Sequence, residues 1–152
     1  MGNGQEKKFS AADFTHCAKQ VVLEGTHYTE PDRPGLRWVA RGETRLFIDS
    51  KGFRDKGGWE RPHSHTIHEV ILLRSGRAAV ASLKDGRWRI SEMTLNKPVN
   101  FWPGDVHALY LAGGPFHIQV LKVGQNVKTD WIAAPAKAAT RLKRIHPLFS
   151  HR

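Results

Sequence analysis

The sequence between residues 36 and 124 is a succession of short apolar segments separated by tight-turn residues, and this succession most constrains the fold. Asp85-Gly86 stands between two such segments, which is typical of a two-residue hairpin turn. No helical segment interrupts the series, so antiparallel pairing is favoured over βαβ units. The predicted strands are LRWVARG, ETRLFIDS, HEVILLRSG, RAAVASLK, RWRISEMTL, PVNFWP, HALYLAGG and PFHIQVLKV. The sequence therefore predicts a single-domain, all-β barrel or sandwich.

The segments on either side of this series have a different composition. The stretch AADFTHCAKQVVLEG predicts a short helix that ends at Gly25, with Phe14, Cys17 and Val21 on one side. A second short helix is predicted before His146-Pro147. We therefore expect three regions: a partly disordered N-terminal extension with a short helix at 1–35, a β-barrel at 36–124 and a basic C-terminal extension at 125–152.

Charge and cysteine content limit the partners and the location. Lysine and arginine number 24 against 14 acidic residues, a formal net charge of +10. This excess could indicate nucleic acid, an anionic substrate or a solvated basic tail, but no nucleic-acid-binding motif is found. No apolar run approaches the roughly 20 residues that cross a bilayer. The single cysteine fits a reducing compartment. We predict a cytoplasmic protein that binds neither nucleic acid nor membrane.

Three histidines and a glutamate interrupt the apolar pattern between Gly57 and Gly76. In an unbroken strand His63, His65 and Glu69 would share one face, which continues into apolar residues and is predicted to be buried. Two imidazoles and a carboxylate inside a barrel must be satisfied, and a metal ion satisfies them together. His107, which follows a Pro-Gly turn, is the predicted fourth ligand. Chance pairing of histidines is the alternative. His68 has the opposite parity and is predicted to lie on the outer surface or in packing.

These residues resemble the two motifs of the cupin superfamily. The first motif places a glycine, His-X-His, a glutamate and a second glycine at the spacings of Gly57, His63, His65, Glu69 and Gly76. The second motif agrees at Gly104 and His107 and departs from the pattern at Asn96, Trp102 and Leu111. The resemblance covers roughly residues 36 to 124. It implies a jelly-roll barrel, one divalent transition metal (Fe, Mn, Ni or Zn) held by His63, His65, Glu69 and His107, and a homodimer.

The resemblance does not fix a reaction, so several functions remain open. Four ligands leave positions at which a metal can bind a substrate oxygen or dioxygen. We expect a metal-dependent enzyme acting on a small oxygenated or anionic metabolite, such as a carboxylate or phosphate. An Fe(II)-type dioxygenase is slightly favoured because the expected interior residues are apolar: Ile71, Leu73, Leu109 and Leu111. The alternatives are a redox-neutral lyase or isomerase, which needs a base near the metal, and a non-catalytic sugar- or metabolite-binding protein. A structural role is the least favoured.

Further residues are candidates for substrate binding and proton transfer. His117 would be the base if its side chain points inward, and Arg61 would clamp an anionic group of the substrate. The remaining residues that we expect to line the pocket are Arg45, Phe47, Trp59, Trp102, Leu109 and Gln119.

Overall fold

The computed structural model describes residues 7–32, 35–125 and 131–149, which form two antiparallel sheets and two helices. The helices are α1 (Ala11–Glu24) and α2 (Ala136–Lys143). The strands are β1 (Thr26–Asp32), β2 (Gly35–Arg41), β3 (Arg45–Arg54), β4 (Gly58–Trp59), β5 (His63–Ser64), β6 (His68–Ser75), β7 (Ala78–Lys84), β8 (Arg87–Glu92), β9 (Val99–Phe101), β10 (His107–Leu111), β11 (Gly114–Val123) and β12 (Ile132–Ala133). The first sheet has the order β1-β2-β3-β11-β6-β9 and the second β12-β5-β10-β7-β8, with β4 also paired to β10. The predicted all-β fold is confirmed.

Two turns show how local sequence sets the strand connections. Asp85 and Gly86 have φ values of 52° and 76°, so the β7–β8 hairpin has both central residues in the left-handed region, as predicted. Asn96 also has a positive φ, 61°. Asparagine is one of the few residues other than glycine that tolerate this conformation. This explains why Asn96 can stand where the second cupin motif has glycine.

The main core lies between the two sheets. Ile71 and Leu73 of β6 pack there against Val80 of β7 and Phe116 and Ile118 of β11. The predicted inward direction of Ile71 and Leu73 is confirmed. Leu109 and Leu111 of β10 also pack against this cluster, as expected. Alternate residues of each strand therefore form one shared apolar interior.

Helix α1 covers the other face of the first sheet. It begins with a capping box in which the side chains of Ser10 and Asp13 bond each other's backbone N–H groups. Phe14 and Val21 are buried against a second cluster that includes Phe47 of β3 and Leu72 of β6. The helix ends at Glu24, with Gly25 as its C-cap, in agreement with the prediction. As a result, the central part of the first sheet buries side chains on both faces.

Helix α2 covers a face of the second sheet in the same way. Leu142 is fully buried against Ala81 of β7 and Ala108 of β10. Two tryptophans fix the C-terminal segment, because Trp59 Nε1 donates to the carbonyl of Ile145 and Trp88 Nε1 to that of Ala138. The predicted helix before His146-Pro147 is present. Within the described part of the chain, neither helix is long and apolar enough to cross a membrane.

The first sheet begins earlier than the sequence indicated. β1 pairs with β2 along its whole length, so sheet structure starts at Thr26, inside the region assigned to the N-terminal extension. Tyr28 faces Val39 across this pair, although prolines around residues 31–34 had suggested only a turn. Most of the predicted disordered stretch, residues 1–6, lies outside the described residues, but Phe9 is held by hydrogen bonds to Asn100.

Candidate metal centre

The segment that carries three of the predicted ligands is not one strand. His63 lies on β5 in the second sheet, whereas Glu69 lies on β6 in the first. The expectation of an unbroken strand is therefore wrong, because the chain crosses from one sheet to the other between them. Ile67, buried with Val39 and Leu46, anchors this crossing in the interior. Both sheets face the same interior, so the side chains still converge.

The structure brings all four predicted ligands together. His63, His65, Glu69 and His107 are buried, and their ligand atoms lie within 4.8 Å of one another. His107 pairs with His63 across β10 and β5, which fixes two imidazoles side by side. Glu69 Oε1 is 2.6 Å from His107 Nε2, and Glu69 Oε2 is 3.4 Å from His65 Nε2. Three imidazoles and one carboxylate could hold one divalent transition metal ion.

Backbone carbonyls orient two of the imidazoles for this task. His63 Nδ1 donates to the carbonyl of Arg61 at 2.8 Å, and His107 Nδ1 donates to that of Asp105 at 2.9 Å. A carbonyl oxygen can only accept, so each Nδ1 must carry its proton and the Nε2 atom is left for a metal. The ring of Phe101 stacks on His107, with centroids 4.0 Å apart, and holds its plane. The donor set and its outer partners thus fit a metal.

Burial and mutual charge set the protonation of the ligands. Burial lowers the pKa of His63 to about 4, so this imidazole is neutral near pH 7. Burial by itself would raise the pKa of Glu69, but hydrogen bonds from His107 and His65 outweigh it and hold that pKa well below its usual range. For His107, burial acts to lower the pKa, and the hydrogen bond and charge of Glu69 overcome it and raise the pKa. The raised pKa of His107 means that a proton competes with a metal for its Nε2 atom.

Metal affinity should rise with pH over the range in which His107 loses its proton. A metal and a proton compete for His107 Nε2, so affinity should fall about tenfold per pH unit below the raised pKa and level off above it. His63 and Glu69 add no further dependence near neutrality, because the pKa of each is lowered. Metal titrations between about pH 5 and pH 9 measure the slope. A metal affinity that does not change over this pH range would contradict this assignment.

Two charged side chains near the ligands were missed by the sequence analysis. Glu60 precedes β5; its Oε1 accepts the backbone N–H of Leu109 at 2.9 Å, and the residue stays open to solvent. Burial of its carboxylate and the negative charge of Glu69 raise the pKa of Glu60 to about 7, against the opposing effects of His107 and Lys122. The pKa of Glu60 is therefore raised toward neutral pH, although solvent at this exposed residue screens part of the effect.

Lys122 is the second missed residue. It pairs with Glu69 across β11 and β6, and its Nζ lies 3.8 Å from Glu69 Oε2. The sequence contained a signal for Lys122, since it has the same parity as Ile118 and Val120. It contained none for Glu60, which lies in the irregular stretch between β4 and β5.

Arg61 and Trp131 lie at the outer side of His63. The Trp131 ring stacks on His63 with centroids 5.6 Å apart, and the Arg61 guanidinium lies 5.6 Å from the centre of the Trp131 ring. Pairing of β12 with β5 holds this arrangement. Arg61 is exposed, and the structure places its guanidinium against Trp131.

Four other predicted site residues lie on the face of the first sheet that α1 covers. His117 Nε2 is 2.6 Å from Asp49 Oδ1, and Gln119 Nε2 donates to the same oxygen at 2.7 Å. Phe47 packs on Phe14 of α1, and Arg45 donates to Gln20 of the same helix. On β11 the side chains that point into the interior are those of the even-numbered residues, such as Ile118, whereas His117 and Gln119 are odd-numbered. The structure therefore does not bring His117, Gln119, Phe47 or Arg45 to the ligands.

Of the remaining predicted pocket residues, Leu109 lies between the sheets, whereas Trp59 and Trp102 pack against other side chains. Leu109 packs against the core between the sheets. Trp59 packs beneath α2 and edge-on to Tyr110, with centroids 5.2 Å apart. Trp102 stacks on His68 at 4.4 Å, and His68 also bonds Asn100 at 2.8 Å. The packing role predicted for His68 is confirmed.

Comparisons with known proteins place this geometry in a known fold. The sequence matches no protein-family model and no curated protein. Oxalate decarboxylase of Lactobacillus farciminis is similar in structure, with a TM-score of 0.58 and 14% identity over 87% of this chain and 37% of that one. Oxalate decarboxylase of Bacillus subtilis gives 0.58 and 13% over 88% and 33%. The 7S globulin of Momordica charantia gives 0.56 and 16% over 73% and 36%.

The chain spans about a third of the length of these proteins. At this identity the likeness shows the fold alone, which is the cupin fold. The cupin fold together with the buried His-His-Glu-His group supports membership of the cupin superfamily.

Proposed function

We propose that this protein is a metal-dependent enzyme that catalyses redox-neutral proton transfer, as a lyase or isomerase, on a small oxygenated or anionic metabolite. The observation that carries the proposal is Glu60, a carboxylate outside the ligand set. Its Oε1 accepts the backbone N–H of Leu109 on β10, the strand of His107, and the negative charge of Glu69 helps to raise its pKa to about 7. Efficient general acid–base catalysis needs a group whose pKa is close to the working pH. A redox-neutral lyase or isomerase requires such a base near the metal.

His63, His65, Glu69 and His107 would hold the metal, which as a Lewis acid makes a proton on a bound oxygenated substrate more acidic. The Glu60 carboxylate then accepts that proton and, as the carboxylic acid, returns it to a different atom of the substrate or to the leaving group. The backbone N–H of Leu109 keeps Oε1 of Glu60 in place during both steps. In an isomerase a proton and a double bond change position; in a lyase the bond to the leaving group breaks and that group leaves with the bonding electron pair and the proton. Neither reaction needs an oxidant.

The second candidate is the Fe(II)-type dioxygenase. It is favoured by the apolar side chains that fill the interior beyond the ligands, among them Ile71, Leu73, Leu109 and Leu111. A dry apolar pocket suits a reaction with dioxygen and needs no titrating carboxylate. We place this candidate second because a dioxygenase reaction does not need the carboxylate of Glu60.

Replacing Glu60 with glutamine should lower turnover about 100- to 10,000-fold while the bound metal is retained. The test is to incubate the metal-loaded protein in D2O with a panel of 2-hydroxy and 2-oxo acids and to follow deuterium incorporation by NMR. In the wild type the rate should rise with pH through the Glu60 pKa, because the base form is required. With a divalent cation present this rise should lie at or below about pH 7, since positive charge favours the carboxylate.

Glu43→Gln is the matched control, because Glu43 is an exposed glutamate in the turn between β2 and β3. It should leave both rate and metal content unchanged. Oxygen consumption recorded on the same panel separates the two candidates. Substrate-dependent oxygen uptake that survives Glu60→Gln would support the dioxygenase and overturn the proposal.

Three further properties belong to the proposal. The metal is one of Fe, Mn, Ni or Zn, and the Mn(II) centres of Bacillus subtilis oxalate decarboxylase support Mn among these. The protein acts as a homodimer, for which the edge strand β1 offers unpaired backbone groups. It works in the cytoplasm, a location supported by Cys17, which is buried and free.

A further inference from the structure

Lys122 is a cation inside the protein, next to a metal ligand, that neither metal binding nor the role of Glu60 explains. It extends from β11 toward the interior, on the same face as Ile118 and Val120. Its side chain is only 20% exposed, and its Nζ lies 3.8 Å from Glu69 Oε2. Lysine is seldom buried to this extent unless a negative group faces it.

A bound metal removes the partner that Lys122 has in the structure. Without metal the Glu69 carboxylate faces both Lys122 and His107, but as a ligand it would be directed at a divalent cation. Its single negative charge then faces three positive ones, two on the cation and one on Lys122. Glu60, even when ionised, offsets only one of the two charges left over. An uncompensated positive charge in a protein interior is costly, so the loaded site favours an anion.

We propose that Lys122 binds a carboxylate of the substrate, and hence that the substrate is a small carboxylic acid anion. This inference deepens the proposed metal-dependent function and rests on it. The cross-strand pairing of Lys122 with Glu69 places the ammonium directly beside the metal ligands. One carboxylate balances one ammonium.

The test compares ligands that differ only in charge. The Mn(II)-loaded protein is titrated by calorimetry with acetate, lactate and malonate, and with lactamide as the neutral counterpart of lactate. The wild type should bind lactate more tightly than lactamide. Lys122→Met keeps most of the side-chain length and should weaken binding of the carboxylates about 10- to 100-fold, as expected for loss of a charge-assisted hydrogen bond. Binding of lactamide should not change.

Lys122→Arg should retain most of the carboxylate affinity because it keeps the positive charge. Lys84→Met is the matched control, since Lys84 is exposed at the end of β7. If Lys122→Met folds poorly, Lys122→Gln and Lys122→Arg carry the comparison. The inference is overturned if Lys122→Met binds lactate like the wild type, or if no carboxylate of the panel binds the wild type. It is also overturned if inorganic phosphate binds the wild type more tightly than every carboxylate and depends on Lys122.

Failure of this inference can be distinguished from failure of the proposed function. Metal content is measured for every variant before the titrations. A wild type that takes up no metal contradicts the proposed function itself. A loaded wild type that ignores the charge of the ligand contradicts only the role of Lys122.

Discussion

Replacing His107 with alanine is expected to abolish stoichiometric metal binding. The substitution removes one of four ligands whose atoms lie within 4.8 Å of one another, and no other histidine among the described residues joins that group. Changing a residue that merely supports a ligand typically weakens metal affinity about 10- to 100-fold. Loss of a ligand should therefore cost at least about 100-fold. Elemental analysis of protein purified without chelator, followed by metal titration, measures the effect.

The same substitution should also destabilise the metal-free fold. Glu69 is buried, and His107 Nε2 is its nearest partner at 2.6 Å. Removing one member of a buried ion pair typically costs about 3–5 kcal/mol. Because pairing lowers the pKa of Glu69 and raises that of His107, the pair contributes most between their ordinary values of 4.5 and 6.5. Urea unfolding with chelator present should show the largest difference from wild type in that pH range.

His68→Ala is the matched control for this experiment. His68 is only one position from Glu69, but it stacks on Trp102 and bonds Asn100 away from the ligands. It should bind metal with wild-type stoichiometry even if packing is weakened. Unchanged occupancy in His107→Ala, or loss of metal in His68→Ala, would show that the four-ligand assignment is mistaken.

The features that could be predicted from the sequence are mainly local ones, which depend on residues close together in the chain. The β7–β8 hairpin follows from Asp85-Gly86 because only a few residue types accept left-handed backbone. The spacing of His63, His65 and Glu69 is likewise a local feature. It indicated a shared site correctly, although these residues lie on two sheets rather than on one strand.

Which face of a strand points inward was harder to predict. Strand β3 alternates Leu46 and Ile48 with Phe47 and Asp49, and both sets are buried or half-buried. The reason is α1, which covers the outer face of the sheet with Phe14 and so makes apolar residues necessary on both faces. Alternation alone then cannot separate the interior from the helix-covered face. This is why Arg45, Phe47, His117 and Gln119 were assigned to a pocket that the ligands do not share.

The position of Glu60 could not be predicted from the sequence for a different reason. Its carboxylate reaches the backbone N–H of Leu109 because the chain leaves β4 and enters β5 beside the same strand, β10. Such a path depends on how the sheets curve and pack. A glutamate next to an arginine and a proline otherwise indicates an exposed loop.

The second large effect is on stability and concerns Phe14 of α1. Phe14→Ala should lower the free energy of unfolding by about 3–5 kcal/mol, the usual cost of truncating a buried phenylalanine. Phe14 is 1% exposed and packs edge-on to Phe47, with centroids 6.2 Å apart. It is the largest side chain that joins α1 to the sheet, so its loss should also loosen the helix. Urea unfolding of metal-free protein measures the difference.

Phe53→Ala is the matched control, since Phe53 is 58% exposed and should change stability by no more than about 0.5 kcal/mol. The folded Phe14→Ala variant should keep wild-type metal affinity, because Phe14 and the ligands lie on opposite faces of the first sheet. A measured fall in metal affinity under conditions where the variant is fully folded would mean that the two faces are coupled. In that case α1 would belong to the functional site, and the separation of a supporting face from a chemical face would have to be abandoned.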